Sequence, residues 1–82
     1  MQVDSDITGI EVIAGAGVRR KIDDIDWLMK KYPGYRKEDW QKVKGYGKVI
    51  FNGIEREVEL HWYEVKGEPS SEVEMKVVKY FA

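Results

Sequence analysis

At 82 residues, 43% hydrophobic and 35% charged, the chain is sized for one globular domain with a thin core, which excludes a large enclosed active site. Cysteine is absent, so disulfides and thiolate metal centres are excluded and packing must draw on three Trp, five Tyr and two Phe. The net charge of −1 conceals an acidic, basic, acidic layout in which residues 18–48 hold ten Lys/Arg against five Asp/Glu, a distribution able to steer an anion to one region.

Residues 1–6 read as a loose tail. The acidic N-terminus and the lack of any long apolar run give neither a secretory leader nor a membrane span, so a soluble, cytoplasmic chain is expected. Ile7 to Ala14 alternates weakly and suits a short strand, which Gly15-Ala16-Gly17-Val18 breaks. Those glycines resemble a phosphate cradle only superficially, because the full glycine pattern is missing, and a simple turn is the plainer reading. From Arg19 to Tyr32 the spacing of Ile22, Ile25, Leu28 or Met29, and Tyr32 predicts a helix. Asp23, Asp24 and Asp26 suit its N-terminal end, Lys30 and Lys31 its C-terminal end, and Pro33-Gly34 stops it. A second short helix, Arg36 to Val43, would turn Trp40 and Val43 toward the core. Residues 7–43 thus form a mainly helical half.

Residues 44–82 read as strands. Asn52-Gly53 suits the two positive φ angles of a type I′ hairpin turn, which pairs Phe51 with Ile54 and sets every later register. One face then carries Val49, Phe51, Ile54, Val58, Leu60 and Trp62 and is expected to be buried, with Gly45 and Gly47 leaving space for a helix or a ring. The other carries Lys44, Tyr46, Lys48, Glu57, Glu59, His61 and Tyr63, with Lys44 opposite His61 and Tyr46 opposite Glu59. In the last strand Val73, Met75 and Val77 join the core, while Glu74, Lys76 and Val78 join the polar face. The expected architecture is a single α+β domain over 1–82, with one or two N-terminal helices packed on one face of a three- to four-stranded antiparallel sheet.

Two kinds of chemistry fit that polar face. His61 can exchange a proton near neutral pH, Glu59 can orient it, and Lys44 and Lys76 can stabilise developing negative charge, the minimum set for cleaving a phosphodiester without metal. The same pattern also describes an ordinary cross-strand pair. Alternatively, Lys30, Lys31, Lys37 and Lys42, with Tyr46 and Tyr63, can bind RNA or a protein partner. One histidine among scattered carboxylates offers no metal-ligand spacing, and no cofactor is implied.

The stretches IDDIDWLMKKYPG, EDWQKVKGYGKV and VELHWYEV, followed by VEMKVVKYF, resemble the C-terminal module of phage minor head proteins of the head-morphogenesis family, over about residues 15–80. The resemblance implies an accessory or interaction module of phage or prophage origin, cytoplasmic or virion-associated, whose partner is a head component, an immunity-type protein or RNA. Some such tails are similar to small ribonucleases of the barnase, colicin and EndoU type, which implies the alternative of a metal-independent ribonuclease using His61. No catalytic motif of those families is matched in full.

Overall fold

In the computed structural model residues 2–3 and 6–81 are described, with side chains from residue 6 onward. The strongest local signal acts as expected. Asn52 and Gly53 take φ of 53° and 77°, the two positive angles that a type I′ turn requires, and Phe51 pairs with Ile54. Strands β3 (Trp40–Phe51) and β4 (Ile54–Val65) run back from that turn in unbroken antiparallel register, with Lys44 opposite His61, Tyr46 opposite Glu59 and Lys48 opposite Glu57. β5 (Glu68–Tyr80) pairs with the far edge of β4. β1 (Gln2–Val3) and β2 (Thr8–Gly15) follow one another along the remaining edge of β3. The expected loose tail over 1–6 therefore contains a short strand at Gln2–Val3, while residues 1, 4 and 5 lie outside the described residues.

The helical half is not observed. Among the described residues the only α-helix is α1 (Ile25–Lys31), and the fold is an antiparallel sheet with one short helix, not helices layered on a sheet. Arg19, Arg20 and Lys21 stay outside α1, where three cations at the positive end of its dipole would be unfavourable. Downstream, the backbone N–H of Arg36 donates to Asp39 Oδ2 at 3.1 Å and holds a single 3-10 turn, Lys37–Asp39. Extended backbone begins at Trp40. The run from Trp40 to Phe51 is rich in β-branched and aromatic residues and includes Gly45 and Gly47, a composition that favours strand over helix.

Two cores lie on opposite faces of the sheet. On the first, α1 and the loop before it set Leu28 and Ile22 against Trp40, Val65 and Ala14. On the second, Val43, Val49, Val58, Leu60 and Trp62 are buried without a helix, and Ile7, Val12, Met75 and Val77 of the flanking segments pack against them. Register shifts in β2 and β5 supply the bends that bring those flanks inward. This corrects the expectation that helices cover the Val49 and Trp62 face, since α1 sits at one end of the other. Phe51 and Ile54, expected in the core, are 59% and 56% exposed, because the hairpin tip extends beyond the packed part of the sheet.

Candidate anion-binding site

The polar residues of β3 and β4 share the face that carries α1. Strand pairing lines up Glu11, Lys44, His61 and Lys76 across four strands, one opposite the next. His61 Nε2 lies 2.8 Å from Glu59 Oε2, and both side chains are about four-fifths buried, at 18% and 21% exposure. Glu59 thus contacts the imidazole within hydrogen-bond distance. Lys44 is differently engaged. Its Nζ lies 3.4 Å from Glu11 Oε2, and this carboxylate, more than any other neighbour, holds the ammonium pKa above its usual value. Lys76 is opposite His61 and exposed.

The remaining expected binding residues divide into two groups. Lys31 is tied to Glu74 at 2.6 Å and lies over the Trp27 ring, and neither it nor Lys30 lines a cleft with His61. Tyr46 packs against Phe81, and Tyr63 packs against the helix-side core, where burial, with Asp24, Asp23 and Glu74 nearby, pushes its phenol pKa up. Neither ring stands free for stacking. Lys37 and Lys42, by contrast, point to a common region.

That region is built by the loop after β2. Gly15, at φ 91°, approaches β3 so closely that a β-carbon there would collide with the Trp40 carbonyl oxygen, so the turn needs glycine. The Ala16 N–H donates to Trp40 O at 2.9 Å, Gly15 N–H to Arg20 O at 2.7 Å, and Gln41 Nε2 to Ala16 O at 3.2 Å. The loop thereby presents Arg19, Arg20 and Lys21 along two adjoining clefts. The smaller, about 130 Å³, is lined by His61, Lys42, Arg20, Lys21 and Asp23. The larger, about 450 Å³, shares Arg20, Lys21 and Ile22 and adds Arg19, Lys37 and Glu38 over a floor that includes Val18 and Ile25.

Convergence sets these cations apart. Among the described residues Arg19, Arg20, Lys21, Lys37 and Lys42 form no ion pair and line adjoining clefts, whereas Lys30, Arg56, Lys66, Lys76 and Lys79, also without an ion pair, line neither cleft with them, and Lys31, Arg36, Lys44 and Lys48 each meet a carboxylate within 4 Å. Two acids, Asp23 and Glu38, line the clefts against those five cations, leaving an excess of positive charge. Lys42 contacts the Tyr63 ring, its Nζ 5.9 Å from the centroid. Arg19, Arg20 and Lys21 were not among the expected site residues. Their run after a glycine turn was the available signal, and reading it as a helix start concealed it.

Among the described residues no three His, Asp or Glu side chains are grouped to hold a metal ion, and no helix is long and apolar enough to cross a membrane. No family model matches the chain, and neither a curated protein nor a solved structure matches it.

Proposed function

We propose that the chain is a binding module that takes the phosphate backbone of RNA on its basic end. The observation carrying this reading is the convergence of five cations without ion pairs, Arg19, Arg20, Lys21, Lys37 and Lys42, on two adjoining clefts beside a hydrogen-bonded loop, against only two lining acids, Asp23 and Glu38. A cluster of this kind, with its loop backbone already fixed by hydrogen bonds, gathers enough positive charge to neutralise phosphates. The resemblance to phage minor head modules supports an accessory role of this type in a phage or prophage assembly.

The test is fluorescence anisotropy with a short labelled single-stranded RNA at increasing salt. Affinity should fall steeply, with a log–log slope of about −0.7 per phosphate contacted. The Arg20→Ala/Lys21→Ala/Lys42→Ala protein should bind at least tenfold more weakly and with a flatter slope, while Lys79→Ala should match the parent. RNA affinity unchanged by the triple substitution, or none at about 50 mM salt, would overturn the proposal.

A second reading is favoured by one observation, the 2.8 Å His61–Glu59 contact beside a cleft lined by Lys42, Arg20 and Lys21. On that reading His61 moves a proton during RNA cleavage, and Lys42 takes the charge-stabilising role first given to Lys44, which Glu11 occupies. Asp23 is the other cleft residue able to carry a proton. Incubation with tRNA in EDTA decides it: cleavage lost in His61→Ala supports a ribonuclease, and intact tRNA across the pH range rejects one.

A further inference from the structure

We infer that the two adjoining clefts together receive one unpaired nucleotide of a single strand, with a phosphate in the smaller and its base in the larger. This rests on the phosphate-binding reading above and goes beyond it by assigning a base site. Size makes the first division. At about 130 Å³ the cleft of His61, Lys42, Arg20 and Lys21 holds the equivalent of roughly four waters, enough for a phosphate group and too little for a nucleoside. The neighbouring cleft, about 450 Å³, falls within the range of small-molecule sites, which begins near 300 Å³.

Chemistry makes the second. The smaller cleft gathers Lys42, Arg20, Lys21 and His61, donors suited to phosphate oxygens, with one acid, Asp23, and the apolar Ile13, Ala14 and Ile22 completing its lining. The larger differs in adding an apolar surface from Ala16, Val18, Ile22 and Ile25 to its cations Arg19, Arg20, Lys21 and Lys37 and the Glu38 carboxylate. A planar guanidinium stacks on a base, and a carboxylate accepts from exocyclic amines. Because Arg20, Lys21 and Ile22 line both clefts, the two sites are contiguous, as a phosphate and its own base require. The nearby aromatic rings are unsuited to stacking: Trp40 is 1% exposed, and the Tyr32 hydroxyl donates to Glu74. A base held in the larger cleft must leave its helix stack, so a duplex is excluded from it.

The test compares a single-stranded RNA oligonucleotide with an abasic strand of equal length, by anisotropy at one salt concentration. The unmodified strand should bind about tenfold more tightly. Lys42→Ala should weaken both strands alike, whereas Val18→Ser, at an exposed position, should narrow the difference between them. As a check independent of any variant, methyl resonances of Val18, Ile22 and Ile25 should shift with the unmodified strand and not with the abasic one. Equal, salt-dependent binding of the two strands without selective methyl shifts would overturn the base site and leave the phosphate reading standing. Absence of binding to either strand would overturn both.

Discussion

Gly45 lies where the Trp62 ring and an Ile7 methyl leave no room for a β-carbon. One added there would collide with Ile7 Cγ2 and lie 3.0 Å from Trp62 Cη2. Both partners are held by the second core, so neither can yield freely. Gly45→Ala should therefore cost about 1–3 kcal/mol by overpacking. Trp62→Ala should cost about 3–5 kcal/mol, because it removes a side chain 2% exposed from a core with no helix to collapse over the gap. Phe51→Ser, on the same face and exposed, should cost about 0.5 kcal/mol or less. Urea denaturation of the three variants checks this order, and a large loss for Phe51→Ser would show that the hairpin tip is packed in solution.

The short helix is held to the sheet by β5. Glu74 has φ 58° and sits in a register shift, with Val73 against the helix-side core and Met75 against the other. The bulge turns the Glu74 carboxylate to α1 and its C-cap, where it accepts from Lys31 Nζ at 2.6 Å and from the Tyr32 hydroxyl at 2.5 Å. Those two donors, Lys31 first, lower the Glu74 pKa, and the same carboxylate raises that of Lys31. A lowered carboxyl pKa gives stability present in full above the unfolded carboxylate range and lost as pH falls through the folded value. A raised lysine pKa gives stability lost only as pH rises through its own folded value. Melting temperature should therefore decline below about pH 5, and Glu74→Gln should flatten that acid limb. Some decline should persist through Asp39, whose pKa the Arg36 N–H holds down. An unchanged acid limb in Glu74→Gln would show that the clamp does not contribute. The hairpin, its register and the pairing of Lys44 with His61 were legible because an Asn-Gly turn and a two-residue alternation are local signals. The bulge was not, since no glycine marks residue 74. The second helix misled for a physical reason: Trp40 and Val43, three apart, share a helical face yet point to opposite sides of a strand. Here both sides are buried, so either conformation buries both residues. At the site, His61, Glu59, Lys37 and Lys42 were legible, and Arg19, Arg20 and Lys21 were hidden by a helix pattern that the backbone does not follow.

The protein is elongated, about 39 × 23 × 21 Å, with its helix-side core and basic clefts toward one end and the apolar hairpin tip at the other. β3, β4 and β5 form a meander in which each strand pairs with the next in sequence, β2 joins β3 across the segment that contains α1, and only the two-residue β1 reaches β3 past an intervening strand. Such local connectivity lets the chain assemble by zipping outward from the Asn52-Gly53 hairpin, with little loop-closure entropy lost before contacts form. The helix, clamped through a bulge in the last strand, then docks late. Kinetics should expose this division. Gly53→Ala, which forces a side chain onto φ 77°, should slow folding and leave unfolding nearly unchanged, while Glu74→Gln should speed unfolding and leave folding nearly unchanged. Stopped-flow chevrons of both variants would show it, and the reverse assignment would place the nucleus at the helix. If the hairpin does nucleate, the basic clefts are the last part of the chain to form and the first to open, and any ligand held in them would act as a brake on unfolding.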